Sequence, residues 1–176
     1  MKIGIFCSAN NNIDLDFFSL TEELGRWIAK NGHSIVFGGC NTGLMECIAK
    51  AVKDAGGLTV GVIPKMIEQQ SRISDFVDVR IFCDNLSDRK DLILAKSDVL
   101  IALPGGIGTL DESFTVAASH TIGYHQKRVI LYNMKGFWSK LIDLLDDLQA
   151  RSFIRGDYHD YIEIADTLED VVRLLP

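Results

Sequence analysis

The sequence is poor in the features that would give it an easy label. Its four cysteines, at positions 7, 40, 47 and 83, show no CxxC spacing. That excludes a disulfide framework or a structural zinc site as the default and points to a reduced, cytoplasmic setting. No apolar run approaches the length of a membrane span, so no membrane partner is expected. There is no excess of basic residues. The net charge of −6 argues against nonspecific binding to nucleic acid, while leaving room for a local positive pocket that takes a small anion. The four histidines, 33, 120, 125 and 159, are not at metal-ligand spacing, and each reads as structural or exposed. Neither a metal nor an organic cofactor is therefore expected. Met1-Lys2 runs straight into Ile3-Gly4-Ile5-Phe6-Cys7, too short an apolar stretch for a signal peptide and readable as a first strand. No linker, repeat or low-complexity tract interrupts the 176 residues, so residues 1–176 read as one domain with one substantial core.

What is present is an alternation. Short apolar strands are expected at 2–7, 34–38, 58–63, 77–83, 98–103 and 128–132. Helices fill the gaps at 14–30, 43–55, 86–96, 109–124 and 136–149. A short element near 161–164 and a helix at 167–175 close the chain. Strand–helix alternation predicts an α/β, three-layer, doubly wound parallel sheet of Rossmann-like architecture. In such sheets ligands bind beyond the carboxyl ends of the strands. The compositionally odd segments, Ser8 to Asn12, Gly38 to Gly43, Asn85 to Lys90 and Pro104 to Glu112, all follow strands. They should share one rim.

The richest segment is Pro104-Gly-Gly-Ile-Gly-Thr-Leu-Asp-Glu112, which follows a buried strand and opens a helix that Thr109 can cap. Glycines there let a ligand approach bare amides, and a helix N-terminus adds unpaired N–H groups and a positive dipole end. Together these make an anion site, most often for phosphate. Gly38-Gly39 through Gly43 form a second cradle of P-loop spacing. However, Leu44-Met45 stands where a P-loop needs Lys-Ser/Thr, so nucleoside triphosphate hydrolysis is rejected. The dinucleotide fingerprint fails as well, because Asp111 occupies the third glycine's place.

Asn85 is positioned to cap the helix at 86–96, which puts Leu86, Arg89, Lys90 and Ile93 on a shared face. A guanidinium beside a buried stripe needs a partner or an anion. Glu112 supports two readings. Thr109-Leu-Asp-Glu112 is a capping-box pattern that needs no chemistry, and Asp111 then only complements the helix dipole. The nearby glycine loops and Arg89 make a catalytic carboxylate an equal contender. Residues 64–76 read as a loop over the rim, a solvated connection or a lid carrying Lys65 or Arg72. Phe137-Trp138 opens an amphipathic helix whose apolar face continues through Leu141, Leu144, Leu145 and Leu148. The apolar side of the 109–124 helix serves either a core or a dimer face.

On these residues the chain resembles the LONELY GUY (LOG) family, cytokinin-activating nucleotide phosphoribohydrolases long mistaken for lysine decarboxylases. The resemblance rests on PGGxGTxxE at Pro104–Glu112, on Arg89-Lys90, and on Gly38-Gly39 leading to Gly43-Leu44-Met45. Gly61-Val-Ile-Pro64, Gly123-Tyr-His-Gln-Lys127 and Tyr132-Asn133 extend it over roughly residues 2–150. It implies hydrolysis of the N-glycosidic bond of a nucleoside 5′-monophosphate, with plain or N6-prenylated adenine as typical base, and it implies a homodimer with sites near the subunit interface. It also implies Arg89 and Glu112 as the catalytic pair. The phosphate and nucleotide would be held by Ser8, Gly38, Gly39, Gly43, Lys90, Pro104, Gly105, Gly106, Gly108 and Thr109. No lysine motif for a pyridoxal cofactor stands in the sequence, which speaks against decarboxylation. Three departures from the pattern concern shape: Cys40 replaces the family's third glycine, Leu86 stands at a common Met, and Ser119 and Thr121 replace a Trp and a Gln. Base specificity is where these should tell.

Overall fold

A computed structural model describes residues 1–66 and 72–176. Seven strands form one sheet: β1 (Lys2–Phe6), β2 (Ser34–Phe37), β3 (Leu58–Pro64), β4 (Val79–Cys83), β5 (Val99–Ala102), β6 (Val129–Tyr132) and β7 (Ile162–Ala165). Their order is β4-β3-β2-β1-β5-β6-β7, and every pairing is parallel. Among the described residues six helices wrap the sheet: α1 (Leu15–Lys30), α2 (Gly43–Asp54), α3 (Leu86–Lys96), α4 (Ile107–Thr121), α5 (Ser139–Ala150) and α6 (Leu168–Leu174).

The sheet is buried on both faces, which is why its strands are apolar runs rather than alternations. Leu24, Ile28, Ile48, Val52 and Val171 place α1, α2 and α6 against one face. Ile93, Val116 and Leu145 place α3, α4 and α5 against the other. The doubly wound expectation therefore holds in strand direction and layering, and the short element expected near 161–164 is a seventh strand, β7. β1 sits between β2 and β5, with Ile3 level with both Ile35 and Val99. The chain leaves β1 toward α1 on one face and leaves β5 toward α4 on the other. The two exits diverge and open a crevice above the carboxyl ends of β1 and β5, where the winding changes sense.

Local signals explain most element ends. Asp14 caps α1 by accepting from the Asp16 N–H, and Asn85 caps α3 by accepting from Ser87 and Asp88 N–H groups. Thr167 and Asp170 form a capping box on α6. Two helices differ from expectation in their bounds. Helix α4 begins at Ile107 with Gly106 as its N-cap, so Thr109 lies inside the first turn and caps nothing, and the helix ends at Thr121 rather than 124. Its end coincides with Gly123, whose positive φ breaks the turn. Helix α5 begins at Ser139, not 136. A 3₁₀ turn at Met134–Gly136 precedes it, and Asn133 Oδ1 takes the Trp138 N–H at 2.7 Å. Leu145 of that helix is buried, but Leu144 faces solvent, off the predicted stripe.

The loops at the crevice are stitched to each other. Ser8 N–H donates to the Pro104 carbonyl (3.0 Å), Leu44 N–H to the Ser8 carbonyl (2.9 Å), and Gly43 N–H to Asn11 Oδ1 (2.7 Å). Gly43 has φ +62°, and a Cβ there would lie 2.5 Å from the Ala9 carbonyl carbon. Both the backbone angle and the space thus demand glycine. Gly43→Ala is expected to lower stability by about 2 kcal/mol or more in chemical denaturation. A loss under 0.5 kcal/mol would show that the two loops are not held this tightly.

Candidate active site

The crevice contains a cleft of about 510 Å³ lined by Cys7, Ser8, Ala9 and Asn10 after β1, Met45 on α2, Arg89 on α3, and Gly106, Gly108, Thr109 and Glu112 on α4. Three of the four segments that the sequence placed on one rim line this cleft; the fourth, Gly38 to Gly43, contributes no lining residue and stands behind it, against Arg89 and the loop after β1. A second groove, of about 490 Å³, runs between α1 and α2. Several of its charges neutralise one another in Glu22–Arg26 and Lys50–Asp54 pairs on an open surface.

Arg89 is the least satisfied group in the cleft. Its side chain is 14% exposed, and its Nε is buried without a hydrogen-bond partner. The guanidinium rests directly on Gly38, where an added Cβ would fall 1.5 Å from Nη2. Buried guanidinium donors left unpaired are costly, so this cation is set up to receive an acceptor. The neighbouring Asp88 is no partner to Arg89; it accepts from Asn85 Nδ2.

Glu112 faces Arg89 with Oε1 3.8 Å from Nη1, within ion-pair range but beyond a hydrogen bond. It is 7% exposed. Burial pushes its carboxyl up from an ordinary 4.5 to about 7; Arg89 and Lys90 pull the other way, and Asp111 adds to the rise. The capping-box reading of this residue is corrected here: no side chain caps α4, because the helix has already started two residues before Thr109. The Leu110 N–H is the first to find an acceptor within the helix, the Gly106 carbonyl. The amides of the first turn thus open toward the cleft that Gly106 and Gly108 line, at the positive end of the helix dipole.

The predicted phosphate ligands divide. Ser8, Gly106, Gly108 and Thr109 line the cleft. Gly105 lies under the Thr109 side chain, whose Oγ1 would be 2.1 Å from an added Cβ, and Pro104 ties down Ser8. Gly38 backs Arg89, Gly39 packs on Ile63, and Gly43 packs on the loop after β1, so none of the three lines the cleft. Lys90 turns away from it, its ammonium 2.9 Å from both Asp111 oxygens.

The lid reading gains little. Lys65 pairs with Asp84, and Arg72 Nη2 lies 3.7 Å from Cys40 Sγ, while residues 67–71 of that segment lie outside the described residues. Cys7, Asn10 and Met45 were not singled out from the sequence. Their only signal was position, immediately after β1 or in the first turn after the Gly38–Gly43 loop. Burial, followed by the charge of Glu112, pushes the Cys7 thiol well up, so it is no thiolate nucleophile. Among the described residues no group of three or more His, Cys, Asp or Glu side chains could hold a metal ion.

The raised Glu112 sets a pH dependence. The folded state favours the neutral acid, so this contribution to stability is complete below pH 4.5 and is lost as pH rises through about 7. The shift corresponds to roughly 3 kcal/mol. Glu112→Gln should therefore be more stable than the wild type at pH 8, by up to about 3 kcal/mol, and gain far less at pH 4.5. Denaturant titrations at the two pH values measure it; an equal effect at both would mean an ordinary carboxylate.

A family model described as "Possible lysine decarboxylase" matches residues 45–175. The chain is 30% identical over 171 residues to the cytokinin riboside 5′-monophosphate phosphoribohydrolase of Mycobacterium tuberculosis, covering 97% of this chain and 91% of that one. It is 34% identical to a probable enzyme of the same name from Oryza sativa, covering 98% and 77%. Among solved structures it is similar to the Moco carrier protein of Chlamydomonas reinhardtii, with a TM-score of 0.72, 27% identity and coverage of 98% and 93%.

Proposed function

The chain belongs to the LOG family of phosphoribohydrolases, which shares its family model with proteins described as possible lysine decarboxylases, and on that premise we propose that it hydrolyses the N-glycosidic bond of an adenine nucleoside 5′-monophosphate. Plain AMP and N6-modified AMP are the proposed substrates, with free base and ribose 5-phosphate as products. The observation that carries this reading is the buried Arg89–Glu112 pair, unclosed at 3.8 Å beside an uncapped helix N-terminus.

The 5′-phosphate binds at the first turn of α4, where Gly106, Gly108 and Thr109 supply amides and Ser8 a hydroxyl. Holding that phosphate fixes the ribose against Glu112. As the C1′–N bond breaks, positive charge grows on the sugar, and the ionised Glu112 stabilises it. Water adds to C1′ and gives its proton to Glu112. The base nitrogen leaves with the bonding pair and is protonated from solvent, since no carboxyl other than Glu112 lines the cleft among the described residues. Arg89 donates to the substrate and keeps Glu112 from becoming more basic still. Met45, Ala9 and Cys7 give the cleft an apolar wall.

A second reading comes from the structural likeness to a Moco carrier protein: the same cleft would hold a phosphorylated heterocycle without cleaving it. Incubation with AMP and N6-isopentenyl-AMP, with chromatography of the released base, separates the two. Hydrolysis is expected, with turnover rising with pH through about 7 and Glu112→Gln slowing it by 10²-fold or more. Tight nucleotide binding with no base released would select the carrier reading.

The chain is further proposed to work as a homodimer. Exposed Ile107 and Phe114 line a shallow groove on α4 together with Leu110, Asp111, Thr115 and Ala118, on the helix that carries Glu112. Faces of this kind mark interfaces. Ultracentrifugation should find a dimer, and the double variant Ile107→Glu/Phe114→Glu should sediment as a monomer; a monomeric wild type would dismiss the proposal.

A further inference from the structure

We propose that the Lys90–Asp111 ion pair is a strut that sets the distance between Arg89 and Glu112, making both of its members positioning residues. The kinetic part rests on the hydrolase reading; the geometric part does not.

Lys90 follows Arg89 on α3, and Asp111 precedes Glu112 on α4. Neighbouring residues on a helix point about 100° apart, so the two helices are bridged twice, once toward the cleft and once toward the outer surface. The outer bridge is closed, with Lys90 Nζ 2.9 Å from each Asp111 oxygen. The inner one stays open at 3.8 Å. A buried guanidinium and carboxylate attract strongly and would ordinarily close to a hydrogen-bonded pair at about 2.8 Å. Closure is opposed by the strut, which fixes the separation of the helix backbones, while Gly38 seats the guanidinium. Apolar packing alone would hold α3 loosely, since Ile93 is its one fully buried residue among those described. The gap leaves a donor on Arg89 and a lone pair on Glu112 for the substrate.

The charged and titratable groups facing Glu112 are Cys7 from β1, Arg89 and Lys90 from α3, and Asp111 on its own helix. Lys90 and Asp111 act on Glu112 in opposite directions. The double variant Lys90→Met/Asp111→Asn removes both charges; Asp111 acts on Glu112 the more strongly, so part of any fall is direct, and Asp111→Glu, which keeps both charges, isolates the geometric part. ¹³C-carboxyl NMR of the full chain follows it. The expected result is a fall in the Glu112 midpoint by about one pH unit or more, as Arg89 closes on it. Turnover of AMP should drop about tenfold or more with KM within about twofold, through loss of alignment. Melting should shift by no more than about 4 °C, because a partly exposed ion pair adds little stability. The reversed pair Lys90→Asp/Asp111→Lys should restore midpoint and turnover. Asp111→Glu, which keeps both charges and lengthens the strut by one methylene, serves if the double variant does not fold, and its midpoint should move too. An unchanged midpoint in a folded variant, with or without a lower melting temperature, overturns the strut. A midpoint that falls as expected in a protein that cleaves no nucleotide upholds the strut and sinks the hydrolase reading instead.

Discussion

A buried cation and a buried acid that do not quite touch are the constraint around which this molecule is arranged. Taking either charge out of water is expensive, and the usual remedy is a short, hydrogen-bonded pair. Arg89 and Glu112 forgo the remedy: their nearest atoms stay 3.8 Å apart and Arg89 Nε finds no acceptor. The cost appears as the displacement of Glu112 to about 7. A fold selected for stability alone would have closed this pair or replaced it by apolar residues. The unpaid valences face a cleft, where an incoming polar ligand can satisfy both.

The sheet supplies the place for this. At the middle of the sheet, between β1 and β5, the helices that follow leave on opposite faces, so a ligand can descend there to the strand ends without displacing a crossover. Four chain segments far apart in sequence reach that point, and each carries one function. The loop after β1 gives a hydroxyl and an apolar wall, and the loop after β2 gives the glycine backing for Arg89. Helix α3 brings the cation, and α4 brings amides and the acid. The hydrogen bonds from Ser8 to Pro104 and from Leu44 to Ser8 lock three of the four loops into one rim. This rigidity matters because phosphate held at α4 can orient the sugar only if the loop after β1 does not move away.

Much of this was legible in the residues, because strand–helix alternation is written in apolar runs and the rim in glycine-rich turns. The direction in which those turns face was not. A glycine reports that a Cβ is forbidden, without saying whether ligand, backbone or side chain occupies the space. Gly106 and Gly108 are open to the cleft, whereas Gly38, Gly39 and Gly43 exclude a Cβ because Arg89, Ile63 and the Ala9 backbone are already there. The start of α4 misled for a related reason. Thr109 and Glu112 have the spacing of a capping box, but Gly106 provides an earlier start at no steric cost, and a cap one turn further in has no free amide to serve. The engagement of Lys90 was not legible either, because sequence shows a cation next to Arg89 but not that Asp111 lies across the helix gap, 21 residues away.

The same geometry bears on the family's older label. Amino-acid decarboxylation by a pyridoxal group needs a lysine in the site to form the Schiff base and a hold for the substrate carboxylate. None of the described residues lining the cleft is a lysine, and the nearby Lys90 is engaged by Asp111. A buried Glu112 would repel an amino acid's carboxylate where it would be needed. Glycosidic cleavage makes the opposite demand, a carboxylate against a carbon that becomes positive, with an anion anchored several ångströms away. Among the described residues the cleft places its one acid and an open helix turn on the same wall, separated by a single turn of α4, a spacing that a ribose 5-phosphate can span.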